Sequence, residues 1–149
     1  MGLDLAKSGL VSAMPSFGMV VTLIAWGYVV DRVGERFVLS VGSALTAAAA
    51  LAAATAHSLF VVGVFLFLGG MAAASSNSAS GRLVVGWFPP HQRGLVMGIR
   101  QTAQPLGVAF GALVIPPRLA QSHGVGVALL FPAIVCGVAA VVCAVAVAD

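Results

Sequence analysis

Apolar residues fill this chain in five long blocks, separated by short junctions where polar residues, glycines and prolines collect. The blocks cover about 8–30, 36–56, 59–88, 94–116 and 125–148. Each is close to the roughly 20 residues that a helix needs to cross about 30 Å of hydrocarbon. The ten-residue alternation of a membrane β-barrel is absent. Gly34 lies in the first junction. Pro89-Pro90 and Gly94 bound the third block, and Pro116-Pro117 and Gly124 bound the fourth, because proline cannot continue a helix and restricts the residue before it. No junction is long enough to separate domains. The pattern predicts an all-α fold, a polytopic bundle of five transmembrane helices forming a single membrane domain over 1–149.

Composition strengthens this expectation. Hydrophobic residues make up 60% of the chain and charged residues 7%, against about 45–50% and 25% in soluble domains. Too few charges exist to cover a water-facing surface, so the lipid bilayer is the expected surrounding. The formal charge of +3 comes from seven Lys and Arg with no clustered basic face, which excludes a nucleic-acid partner. Those basic residues set topology. Arg32, Arg36 and Arg93, with Arg82 and Arg100 nearby, outweigh Lys7 and Arg118 on the other side, so the first and third junctions are expected in the cytoplasm. Met1 is then outside and Asp149 inside a plasma or inner membrane. The start "MGLDLAKSGL" is not a signal peptide, since Asp4 stands where a positive region belongs. An external start and an odd number of crossings create the expectation of a further helix upstream. Cys136 and Cys143, spaced i, i+7, stand about 10 Å apart along a helix axis. That excludes a disulfide between them, and both are read as buried, inert thiols.

Charge is concentrated in one place. "GYVVDRVGERF", from Gly27 to Phe37, holds four charged residues in eleven. Gly27 would let another helix approach closely, Asp31 should be paired because an unpaired carboxylate near lipid is costly, and Gly34 allows the turn. Arg32 and Arg36 are expected to face anionic headgroups or carboxylates. The spacing Gly27-x-x-x-Asp31-Arg32-x-Gly34-x-Arg36 resembles motif A of the major facilitator superfamily, with Glu35 where a basic residue is commoner. "WFPPHQRGLVMGIRQTAQPLG" resembles the junction between the fourth and fifth helices of the same superfamily. Together the two stretches span essentially the whole chain.

The resemblance implies that the five blocks correspond to helices two to six of an amino-terminal half, with a first helix and a second half elsewhere. It implies a secondary transporter working by alternating access, in which Gly27, Asp31, Arg32, Gly34 and Arg36 form a cytoplasmic gate and Asp31 caps a helix of the other half. Drug/proton antiport is disfavoured, because Phe65 and Leu66 occupy the neighbourhood where drug exporters carry an arginine. The rival reading is a non-transporting membrane remnant or scaffold.

Polar residues inside the blocks supply the remaining candidates. Asn77, Arg100, Gln101 and Gln104 could line a water-filled cavity for a small polar or anionic solute. Arg82 is a candidate for a structural ion pair, with Asp31 as one possible partner. Pro105 and Gly107 are expected to let the fourth block bend. No acidic residue lies inside any block, so a proton-coupling carboxylate would have to lie elsewhere. His57, His91 and His123 have no metal-ligand spacing, and no nucleophile–base set or phosphate-binding loop occurs. No metal, cofactor or enzymatic activity is expected.

Overall fold

The computed structural model describes residues 5–114 and 125–146. The two termini, the close of the fourth block at Pro116-Pro117, Arg118, His123 and Gly124 lie outside the described residues. Five helices follow one another: α1 (Leu5–Val33), α2 (Glu35–Thr55), α3 (Leu59–Trp87), α4 (Pro90–Val114) and α5 (Val125–Ala146). The fold is an all-α membrane helix bundle. Helix α3 lies between α1 and α2, and α5 packs on α2. Helix α4 touches α3 only lightly, as α1 touches α2.

The junctions are tighter than the apolar pattern implies. Helix α1 continues through the charged knot to Val33, leaving Gly34 alone between two helices. Gly34 has φ 86, a backbone region that glycine adopts without steric cost. Helix α4 begins at Pro90 rather than near Gly94, because proline suits a first helical position, where the missing N–H has no partner to lose.

Among the described residues, four stretches are long and apolar enough to cross a membrane: Gly9–Val33, Glu35–Thr55, Leu59–Trp87 and Ala128–Ala146. Helix α4 has the length, at 25 residues, but not the composition. It carries His91, Gln92, Arg93, Arg100, Gln101, Thr102 and Gln104. Sequence reasoning counted it as a fifth span; its polar residues set it apart from the other four.

Side chains point outward as lipid requires. Ile24 is 88% and Leu113 80% exposed, while Val38 is fully buried. Since lipid is as apolar as leucine, association must come from close packing and interhelical hydrogen bonds. Three glycines provide the first. A Cβ at Gly18 would strike the Phe67 carbonyl, one at Gly70 the Pro15 carbonyl, and one at Gly42 the Ser75 side chain. Each has a small residue four positions on (Thr22, Ala74 and Thr46), the spacing that lets membrane helices meet backbone to backbone. The Met71 carbonyl supplies the second, receiving the Trp26 indole N–H at 2.7 Å and the Thr22 hydroxyl at 2.9 Å. Val30, Val38, Leu39 and Ala79 form a buried cluster where α1, α2 and α3 converge, with Cys143 of α5 packed against it. Both cysteines are free and only half-buried.

Because α1 and α2 barely meet, a cleft of about 680 Å³ opens between them over α3. Apart from Thr22 and Trp26 its walls are aliphatic, Phe or Met, including Ala48, Ala49 and Phe65. A polar solute has little to bind there.

The packing yields a contrast between two glycines of the same helix. Gly70→Val drives a side chain into the α1 backbone and should cost at least about 3 kcal/mol, the upper range for overpacking. Gly86→Val meets open space and should be tolerated. Thermal unfolding of the complete protein in detergent checks both; equal losses would show that α1 and α3 do not pack through Gly70.

Candidate functional site: two guanidinium clusters on α3

Residues Ser75 to Arg82 were conspicuous as a polar patch in an apolar helix, and the fold distributes them among three neighbours. Ser75 is buried against Gly42 of α2, its hydroxyl without a hydrogen-bond partner. The Ser78 hydroxyl donates to the Leu23 carbonyl of α1 at 3.2 Å. Asn77 and Ser80 reach towards α4, and Arg82 towards the charged knot.

The first cluster is built on Arg82. Its guanidinium pairs with Asp31 of α1 through Nη1 and with Glu35 of α2 through Nε, the latter at 2.9 Å. The Gly34 turn makes this possible, since a single residue of positive φ between two helices brings both carboxylates to one cation. The Asp31 side chain is 67% exposed and Glu35 only 22%, so the outer carboxylate meets water and the inner one is sheltered. Exposed pairs of this kind contribute about 0.2–1 kcal/mol.

The other arginines of the knot find partners that the sequence did not indicate. Arg36 donates to the Ala144 carbonyl, its Nε at 2.9 Å, satisfying a carbonyl in the last turn of α5. Arg32 lies over the Tyr28 ring, 4.8 Å from its centroid, a cation–π contact. A ring and a helix end thus stand where headgroups or carboxylates were expected. Arg93 does for α3 what Arg36 does for α5, donating to the carbonyls of Phe88 (2.9 Å) and Val85 (2.7 Å). Cations at helix C-termini satisfy orphan carbonyls and complement the helix dipole.

Among the described residues no helix closes on Gly27. A Cβ there would meet nothing within 4 Å, and the same holds for Gly81 opposite. These two glycines border a cleft of about 390 Å³ that also touches Asp31, Arg82 and Ser78. Small side chains here leave the ion pair accessible along one flank.

The second cluster is built on Arg100 of α4. Its Nε donates to Ser80 Oγ at 2.8 Å, and Nη2 to Asn77 Oδ1 at 3.0 Å and to the Asn77 carbonyl at 3.2 Å. Nη1 has weaker partners, Gln101 Oε1 at 3.3 Å and Met97 Sδ at 3.7 Å. Asn77 Nδ2 in turn contacts Met19 Sδ of α1 at 3.3 Å. The structure therefore brings together Asn77, Arg100 and Gln101, and adds Ser80, a residue outside the expected cavity set. Gln104 makes no hydrogen bond with this group among the described residues. Asn77 lies ten residues before the end of α3 and Arg100 ten residues after the start of α4, which is about 15 Å along each axis. That is half the thickness of a hydrocarbon core.

The sequence profile of the Major Facilitator Superfamily matches residues 1–149. The chain belongs to this superfamily. It is 65% identical over 148 residues to an "Uncharacterized MFS-type transporter" of Mycobacterium tuberculosis, covering 99% of this chain and 33% of that protein. It is 29% identical over 126 residues to "Probable anion transporter 4, chloroplastic" of Arabidopsis thaliana, covering 83% and 24%. With the "Hexuronate transporter" of Bacillus subtilis it shares 26% over 110-odd positions, 113 in all, covering 76% and 27%. The chain thus spans about a third or less of the length of the relatives it matches. Membership of the superfamily and the four apolar spans make it an integral membrane protein, and the transporter-named relatives support membrane transport. No group of three or more metal-ligating side chains occurs among the described residues.

Arg82 is the shared partner of two carboxylates, which gives a sharp test. Arg82→Gln leaves Asp31 and Glu35 as uncompensated neighbours and should lower the thermal midpoint of the complete protein by several degrees. The triple variant Asp31→Asn, Glu35→Gln, Arg82→Gln removes every charge and should recover most of that loss. Failure of the triple variant to recover would mean that the arginine stabilises through packing alone.

Proposed function

We propose that this chain is the gate-bearing portion of a secondary transporter that moves a small polar or anionic solute by alternating access. The observation that carries the reading is the exposed Asp31–Arg82–Glu35 cluster beside an open cleft, at a junction with the motif spacing of the superfamily. Gly27, Asp31, Arg32, Gly34 and Arg36 form the cytoplasmic gate in this proposal. Gly27 and Gly81 leave room for a helix from the remainder of the transporter, whose N-terminal dipole would favour Asp31 by about 0.3–1 kcal/mol. Arg82 competes for the same carboxylate with an energy of similar size. A latch of this strength holds one state and still breaks within a transport cycle. Glu35 keeps Arg82 engaged when Asp31 turns to its other partner.

The knot and the Pro89-Pro90 junction are cytoplasmic in this proposal, following the arginine excess. Asn77, Arg100, Gln101 and Gln104 belong to the solute pathway at mid-depth, the level at which inverted-repeat transporters bind their solutes. Two relatives carry anion and hexuronate in their names, which agrees with a cationic group in that pathway.

Uptake by cells expressing the complete reading frame tests the gate. Over a panel of labelled organic acids, phosphate and sugars, the wild type should accumulate at least one solute above the vector control. Asp31→Asn should slow that uptake about five- to thirty-fold, the effect of removing roughly 1–2 kcal/mol of latch energy. Wild-type kinetics in Asp31→Asn would remove the gate from the proposal.

A further inference from the structure

Charge in this bundle is divided unequally between Arg82 and Arg100. Asp31 and Glu35 are the acidic residues among the described residues, and both are bound to Arg82. Arg100 has none. Its five N–H groups are met by a hydroxyl, an amide oxygen, a backbone carbonyl, a second amide oxygen and a thioether. Neutral acceptors solvate a cation but leave its charge uncompensated. At about 15 Å along α4 from its first residue, solvation by water is poor and an unpaired cation is costly.

The five contacts also differ in quality. Nε and Nη2 are well satisfied by Ser80 and Asn77, and these bonds fix the plane of the guanidinium against α3. Nη1 is held by Met97 sulfur at 3.7 Å and by Gln101, an exposed residue, at 3.3 Å. A thioether is a weak acceptor. The Nη1 edge is therefore the place where a stronger acceptor would gain most by displacing what is there.

We infer that Arg100 is an oxyanion-binding residue: its Nη1 edge receives a carboxylate or phosphate oxygen of the transported solute, with Ser80 and Asn77 holding the guanidinium in place. The inference rests on the transporter reading above and names the class of solute. Carboxylates and phosphates both present an anionic oxygen, a stronger acceptor for the Nη1 N–H groups than an amide oxygen or a thioether. Gln101 can swing aside or donate its amide N–H groups to the same anion, and Met97 adapts by rotation. Ser80 and Asn77 are positioning residues, because they touch Arg100 and not the anion.

The test is ligand-dependent thermal stability of the complete, detergent-purified protein, which requires binding but no transport. The probes are glucuronate, acetate and inorganic phosphate, with glucose as the neutral counterpart of glucuronate and choline as a cation. At least one oxyanion should raise the midpoint on the order of 5 °C at about a hundred-fold excess over its Kd. Glucuronate or acetate acting alone identifies a carboxylate, and phosphate acting alone identifies a phosphate. The rise should vanish in Arg100→Gln, shrink in Arg100→Lys, which keeps charge but loses the planar guanidinium, and persist in Lys7→Gln, which removes an exposed cation of α1. Should Arg100→Gln not fold, Arg100→Lys and Asn77→Ala carry the comparison, with at least a tenfold weaker apparent affinity expected in each. No response to any oxyanion, or an equal response in the Arg100 variants, overturns the inference. A response to glucose or choline that depends on Arg100 also overturns it while leaving transport intact, and loss of uptake with oxyanion binding preserved would point instead to the gate.

Discussion

A guanidinium in an apolar bundle must be compensated, and the supply of carboxylates decides how. Here two carboxylates are contributed by residues on either side of Gly34, and the turn at that glycine directs both to Arg82. Had Glu35 been basic, as is commoner at this position of motif A, Asp31 would have been the lone acidic partner in the described bundle. The extra carboxylate gives the Arg82 cluster a formal charge of −1. Among the described residues Arg100 meets neutral dipoles alone and keeps its full positive charge. The two clusters therefore have opposite sign, one at the α1–α2 junction and the other about 15 Å along α4 from its first residue.

Geometry makes the separation stable. Arg36 and Arg93 are withdrawn from competition for carboxylates because each is bound to carbonyls at the end of a helix. Arg32 rests on Tyr28. Three cations in the same region are thus satisfied without acids, which leaves Asp31 and Glu35 to Arg82. A helix bundle in lipid cannot rely on bulk water to absorb such charges, so the backbone carbonyls at helix ends become the main reserve of acceptors.

Much of the fold was legible because the bilayer imposes a length on every apolar run. Blocks of about 20 oily residues had to become helices, and Gly34 and the Pro89-Pro90 pair marked where two of them stop. What was misplaced followed from local rules with two outcomes. Pro90 opens α4 rather than preceding it, since proline breaks a helix from inside but begins one readily. The knot reads as a turn by its charge, yet it is helical up to Val33 because Gly34 alone suffices to reverse direction. Within the site, Asp31 needed a partner by desolvation, and Arg82 was within helical reach of the same junction. The partners of Arg36 were not legible, because nothing in the local sequence says that the end of α5 lies beside the start of α2. Arg93 carried a better signal, a basic residue just after the close of α3, the position from which it can fold back on the last carbonyls. Gly18, Gly42 and Gly70 make the close contacts among the described residues, and the small residue four positions beyond each is the signal by which they could have been found.

The two clusters share one helix, and that constrains how they can act. Arg82 ties α3 to α1 and α2, while Asn77 and Ser80 tie the same helix to α4 through Arg100. Asn77 also meets Met19 of α1. The glycine contacts at Gly18 and Gly70 leave no slack between α1 and α3, so these two helices must move as one body. Helix α4 has no such contacts. It is joined to α3 by Arg93 at the junction and by Arg100 midway, with Phe110 reaching the Phe131 ring of α5 at 6.1 Å. Displacement of α4 therefore breaks few apolar contacts, and its main cost falls on the hydrogen bonds of Arg100. An anion that replaced the weakest of those bonds would change the position α4 prefers without loosening the α1–α3 pair that carries Asp31 and Arg82. The tightly packed helices bear the ion-paired arginine, and the lightly held helix bears the arginine that no carboxylate among the described residues compensates.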